Sequence, residues 1–302
     1  MVRLKTAMAS SVGKSDFLYN LNDAEREGLK KCLLEMYKDV AEVCSKYGLT
    51  IMLGGGSVLG AVRHKGFIPW DDDMDLNMER KDYLKLISIF NEELSDKYYL
   101  AAPSVYGTSK HCFARIYKKH TLLVDISNIN QSTNNGVYLD IFPLDYVPNS
   151  RILQLVKGFF ANALNYISLS VFMHSNKNDT LKKYLFKTKE GRISFRQRKI
   201  VGAVFSFISY QRWVYWFDMF VSDSKKKKYC TFASGRKHYL GELMESEVIF
   251  PVSKAEFEGI VVNIPNNVNA YLTNLYGDYM KVPPVEKRER HYYVKFELKT
   301  RK

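Results

Sequence analysis

Four aspartates, Asp71, Asp72, Asp73 and Asp75, fall within five positions of the stretch GFIPWDDDMDLNM (66–78), among Ile68, Trp70, Met74 and Leu76. Carboxylates this close repel one another, and beside apolar neighbours they are costly to leave unpaired, so the cluster calls for a compensating cation. If this is a strand, Asp73 and Asp75 leave the same face roughly 7 Å apart, a spacing that holds one divalent ion or a pair. A calcium loop counted from Asp71 fails, because its obligatory glycine falls on Leu76 and its twelfth position on Asp82. The plainer alternative has the aspartates capping the next helix. A further carboxylate, Asp140, lies between Leu139 and Ile141 in VYLDIF, where neither flank is Lys or Arg.

Upstream, LGGGSVLG (53–60) has the chemistry of a phosphate cradle, since small residues let backbone N–H groups approach an anion at a helix N-terminus. It matches neither common phosphate signature: Ala61-Val62 follow Gly60 where Lys-Ser/Thr would stand, and a dinucleotide pattern begun at Gly54 meets Leu59. Arg63, His64 and Lys65 follow on a short helix read as pointing toward the aspartates, beside a phosphate or a leaving nucleotide.

The elements that must position these groups are legible from periodicity. Residues 21–48 open with an Asn22 or Asp23 cap and repeat Leu29, Leu33, Met36, Val40 and Val43 at helical spacing up to Gly48. LTIML is a short buried strand running into the glycines, and Ser57 is expected to cap the helix VLGAVRHK. Residues 79–94 read as a helix, and KYYLAA, HCFARIYKK, TLLVDIS and VYLDIFPLD as strands. Residues 151–222 turn helical, aromatic and basic. SDSKKKKYC reads as an exposed loop, and the tail returns to strand alternation, a helix and a Gly-Asp turn. The fold class is α/β (α+β): a mixed sheet flanked by helices, with a helical insertion.

The 302 residues carry 45 Lys and Arg against 32 Asp and Glu, a net charge of +13 that suits partners bearing phosphates. The four cysteines have no C-x-x-C pair, which argues against a zinc site or a disulfide framework and for a reducing compartment. The first twenty residues lack an apolar run long enough for a signal peptide. Residues 152–173 and 201–221 are too interrupted by polar side chains for clean membrane spans, and each reads as a helix with one wide apolar face. Phe159, Phe160, Trp213, Trp216 and Phe217 share these helices with Lys157, Lys182, Lys183, Arg196, Arg198 and Lys199, so peripheral association with anionic membranes is expected.

A small-residue turn, a short helix, Asp-x-Asp and a later Asp between hydrophobics resemble the nucleotidyltransferase superfold of polymerase-beta-type enzymes. The stretch GGGSVLGAVRHKGFIPWDDDMDLNM resembles the LicD family of phosphotransferases, relatives of fukutin and fukutin-related protein, and the similarity runs from about residue 30 to 291 through YLDIFPLD and FEGIVVNIPNNVNAYLTNLYGDYMKVPP. The resemblance implies a catalytic core over 22–150, a helical insertion over 151–235, and a segment over 236–302 that completes the core. It implies transfer of a substituted phosphate, such as phosphocholine or phosphoribitol, from CDP-choline, CDP-ribitol or a similar donor to a sugar of a cell-surface glycan or teichoic acid, the acceptor being free or lipid-linked. Asp73, Asp75 and Asp140 then match catalytic and Mg²⁺- or Mn²⁺-binding positions, and Gly55, Gly56 and Ser57 the phosphate turn. Arg63, His64, Lys65, Arg115 and Asp278 are carried as substrate-side residues. The expected location is the cytoplasm or the inner face of the cell membrane. Nucleic acid is not expected as a partner, although a nucleotidyltransferase acting on RNA or another acceptor is the competing reading.

Overall fold

A computed structural model describes residues 18–130, 135–285, 288 and 291–299; residues 1–17, read above for a leader, lie outside it. Helix α1 (Asp23–Lys46) starts at Asn22, whose side chain accepts from Glu25 N while Glu25 accepts from Asn22 N, and it buries the apolar stripe named above. Strand β1 (Ile51–Leu53) leads into α2 (Gly55–His64), then β2 (Asp75–Glu79), α3 (Arg80–Glu93), β3 (Tyr98–Ala101), β4 (Ala114–Lys118), β5 (Leu122–Asp125) and the ten-residue β6 (Tyr138–Val147). The helical region comprises α4 (Arg151–Ser175), α5 (Asp179–Leu185), α6 (Lys189–Phe205) and α7 (Tyr210–Val221). After it come β7 (Tyr229–Thr231), α8 (His238–Gly241), β8 (Met244–Glu245), β9 (Ser253–Phe257), β10 (Ile260–Ile264), α9 (Val268–Tyr276) and β11 (Tyr293–Glu297).

The main sheet is mixed, in the order β1-β2-β6-β4-β3, with β7 and β8 continuing from the far half of β6. Only the β2–β6 pair is parallel in this sheet. Pro143 is tolerated in β6 because it falls after the β4 ladder ends at Ile141 and before the β7 ladder starts at Asp145. Two antiparallel pairs, β9–β10 and β5–β11, stand apart from the sheet. All four cysteines are free and buried.

Two element boundaries differ from the sequence reading. Helix α2 begins two residues before Ser57, with Gly54 in the cap position, so Ser57 is freed for another task. Residues 201–221 are not one helix: α6 ends at Phe205 and Ser209 opens α7, its side chain accepting from Arg212 N. Hydroxyls that satisfy backbone N–H groups are favourable at caps, and this one outweighs the continuous apolar pattern.

Candidate active site

The parallel register of β2 on β6 sets Asp75 directly beside Asp140. Register partners on adjacent strands point to one face and lie about 5 Å apart, so these two carboxylates share a side of the sheet. On the other flank of β6, Arg115 of β4 is the partner of Asp140. Its guanidinium grips both oxygens, Nε to Oδ1 at 2.5 Å and a terminal nitrogen to Oδ2 at 2.7 Å. No basic residue flanks Asp140 in the chain; the fold supplies one across the ladder. Burial pushes the Asp140 carboxyl up from its ordinary range against the pull of Arg115, and the Asp140 charge in turn outweighs burial to raise Arg115.

Helix α2 is clamped onto β2 at its first turn. Gly54 N donates to Asp75 O at 2.8 Å, and Asp75 N donates to the Ser57 hydroxyl at 3.0 Å. Gly55 takes φ +44°, and a Cβ there would stand 3.1 Å from Asp75 Oδ2; at Gly56 it would stand 3.2 Å from Asp71 Oδ2. Both glycines thus let a helix N-terminus, the positive end of its dipole, come up against the carboxylates. Gly55 N donates to the Tyr271 hydroxyl at 2.9 Å, which also accepts from Asn77 Nδ2 at 3.2 Å.

Asp73 precedes β2 rather than lying in it, and it groups with Asp71 and His291: one ligand atom from each lies within 4.8 Å of the others. His291 Nδ1 is 2.6 Å from Asp72 Oδ1, and its Nε2 is 3.2 Å from Asp73 Oδ2. Burial opposes a charged imidazole, yet Asp73 and Asp72 outweigh it and hold His291 well above its ordinary value. Burial first, then Asp73, pushes Asp71 far above the usual carboxylate range. Hard oxygen donors at this density fit a divalent cation such as Mg²⁺ or Mn²⁺.

The remaining sequence candidates lie elsewhere. Arg63, His64 and Lys65 are at the opposite end of α2, about 12 Å along the axis from Gly56, so the N-terminus of the helix is what meets the Asp75 and Asp71 carboxylates. Arg63 Nε donates to His64 Nε2, its NH1 donates to Tyr279 O at 2.9 Å, and its guanidinium lies 5.8 Å from the centre of the Trp70 ring. Arg288 covers Trp70 at 4.0 Å. Lys65 pairs with Glu256 at 3.4 Å. Asp278 is exposed in the turn after α9, next to the Tyr279 carbonyl that holds Arg63.

Asp71, Asn77, Tyr271 and His291 are the site residues that sequence reasoning missed as such. Asp71 was visible in the acidic run. Tyr271 and His291 carry no local spacing that marks them, because they reach the site from α9 and from just before β11.

Residues 48–159 match the family described as LicD/FKTN/FKRP, nucleotidyltransferase domain. The chain is 29% identical over 254 residues to the lipopolysaccharide cholinephosphotransferase LicD of Haemophilus influenzae, covering 83% of this chain and 89% of that protein. It is also 30% identical over 116 residues to an uncharacterized protein of Rickettsia prowazekii, across 38% of this chain and 40% of that one. A similar protein of Rickettsia typhi is 26% identical over 132 residues, across 43% and 40%. The stretch 48–159, which contains Gly55, Asp73, Asp75 and Asp140, is thus a LicD-family nucleotidyltransferase domain.

Proposed function

We propose that the protein is a metal-dependent phosphotransferase that moves a substituted phosphate, phosphocholine or a relative such as phosphoribitol, from a CDP-activated donor to a sugar hydroxyl of a cell-surface glycan. The observation that carries this reading is the pairing of Asp75 with Asp140 across parallel strands, at the N-terminus of a glycine-opened helix and inside a LicD-family domain. Its support is strengthened by the likeness of most of the chain to a lipopolysaccharide cholinephosphotransferase.

Asp71, Asp73 and Asp75 would hold Mg²⁺ or Mn²⁺, with Asp140 alongside. Such an ion, when bound, neutralises the charge of donor phosphates and steadies in-line displacement. The chain's own groups do the rest. The first turn of α2 turns the positive end of its dipole toward anionic oxygens. Asp140, its proton affinity raised by burial, accepts the proton of the attacking sugar hydroxyl while Arg115 fixes its orientation. His291 supplies positive charge against Asp72 and Asp73.

The test is to incubate the purified chain and Mg²⁺ with CDP-choline, CDP-ribitol, CDP-glycerol and the four NTPs, in the presence of glycan. CMP release from one of the CDP-alcohols is expected. Pyrophosphate from an NTP without CMP would overturn the reading in favour of a nucleotidyltransferase. Asp75→Asn is expected to lower turnover by about a hundredfold or more; retention of more than about a tenth of the rate would remove Asp75 from the site.

A further inference from the structure

Away from the carboxylates, the helical region and the loop after it carry most of the molecule's net charge. Residues 151–228 contain sixteen Lys and Arg against Asp179, Glu190, Asp218 and Asp223, a net of +12 out of the chain's +13. Two of those four acids are already spent, Asp218 on Arg80 and Asp223 on Lys227. Large apolar side chains also face outward on this region. Ile152, Val156 and Phe159 recur at helical spacing along the start of α4, Val204 lies in the last turn of α6, Phe207 lies in the turn to α7, and Met219 is on α7. Ile152 is 72% exposed, Phe159 67% and Phe207 75%.

These positions belong to neighbouring elements. Lys157 Nζ donates to Val221 O at 3.5 Å, which sets the end of α7 beside the start of α4. Trp213 Nε1 donates to Phe205 O at 3.2 Å, which sets the start of α7 beside the end of α6. The inward side is separately filled: Ala161, Val214, Phe217 and Val221 form a buried cluster of their own. Trp213 and Phe217, expected above to share a membrane-facing surface, are therefore core residues, and Arg198 is buried with them in the region.

By length and composition α4 could cross a membrane, contrary to the reading of 152–173 as too interrupted. Its inner side is committed to protein, however. A Cβ at Gly158 would meet Leu240 at 2.4 Å, and one at Gly202 of α6 would meet Ser170 O of α4 at 2.2 Å. A helix engaged on one side, apolar on the other and surrounded by cations is suited to lie on a bilayer, not to span it.

We propose that the outer face of α4, α5, α6 and α7 seats on an anionic lipid bilayer, with Phe159 and Phe207 at the acyl boundary and the exposed Lys182 and Lys183 of α5, Arg196 of α6 and Arg212 of α7 drawn to headgroup phosphates. A second copy is disfavoured as the occupant, since it would press one strongly cationic surface against another. Nucleic acid matches the charge but leaves the exposed phenylalanines in water.

The test is flotation of the full chain with phosphatidylcholine vesicles, with and without about a third phosphatidylglycerol, at low and high salt. Binding is expected only with the anionic lipid, weaker at high salt. Phe159→Ser with Phe207→Ser is expected to cut vesicle affinity by about tenfold or more without changing the melting temperature. Lys182→Glu with Lys183→Glu should weaken low-salt binding. The proposal is overturned if anionic vesicles are not bound at low salt, if the phenylalanine pair can be replaced without loss of binding, or if the chain is a dimer that these replacements dissociate. Binding is read without substrate, so failure here leaves the catalytic reading untouched.

Discussion

Arg115 lies 25 positions before Asp140, yet the β4–β6 register brings them into a two-point ion pair inside the sheet. Gly55 depends on its backbone in the same local way: φ +44° strains any other residue, and a Cβ would crowd Asp75 Oδ2 at 3.1 Å. Gly55→Ala is expected to cost about 1–3 kcal/mol of stability. It should also lower activity by displacing the Asp75 carboxylate, whereas Gly48→Ala, at φ +62° with open space around it, should cost stability alone. Thermal melts and CMP release on the two variants separate the effects. The contiguous groups here, the glycines and the acidic run, could be read from the sequence because their chemistry is a matter of spacing. His291 could not, because a lone histidine acquires meaning only when β11 pairs with β5 and brings it to Asp72 and Asp73.

At the scale of elements, Arg80 opens α3 and reaches two others: Nε and NH2 bond Asp145 of β6, and NH1 bonds Asp218 of α7, each at 2.7 Å and almost wholly buried. This one guanidinium ties the helical region to the sheet. Arg80→Ala leaves two buried carboxylates without a counter-charge, and a loss of about 3–5 kcal/mol is expected in denaturant unfolding. Arg80→Ala with Asp145→Asn and Asp218→Asn should recover part of that loss, because the stranded charges are gone. Periodicity had already located the helix at 79–94 and the strand at 137–145, since each has a run long enough to carry its own signal. It failed at residues 201–221, where Ser209 breaks an apolar run that looks continuous, and at Ser57, whose hydroxyl serves the Asp75 backbone instead of a cap. In both cases a side-chain hydroxyl chose between two backbone partners, and only the packed chain decides which.

Across the whole molecule, charge is segregated and thiols are sealed. Burial pushes Cys44, Cys112 and Cys230 from 9.0 up to about 12. Because the folded values lie above the unfolded ones, this contribution to stability is complete below pH 9 and lost as pH rises from 9 through 12. The melting temperature is therefore expected to fall across that window, and Cys44→Ser with Cys230→Ser should make the fall shallower. The span of the site in the chain has a further consequence, for biosynthesis. Asp75 and Asp140 meet as soon as β2 and β6 are both made, but Tyr271 reaches Gly55 across 216 positions and His291 reaches Asp72 across 219. A chain still on the ribosome holds its clustered aspartates without Tyr271 and His291, and it is expected to stay inactive until translation is nearly done. Chains stalled after residue 260 are expected to be inactive and to gain activity only when the stall is moved far enough past residue 291 for it to clear the exit tunnel, a sequence that CMP release from ribosome-bound intermediates would follow.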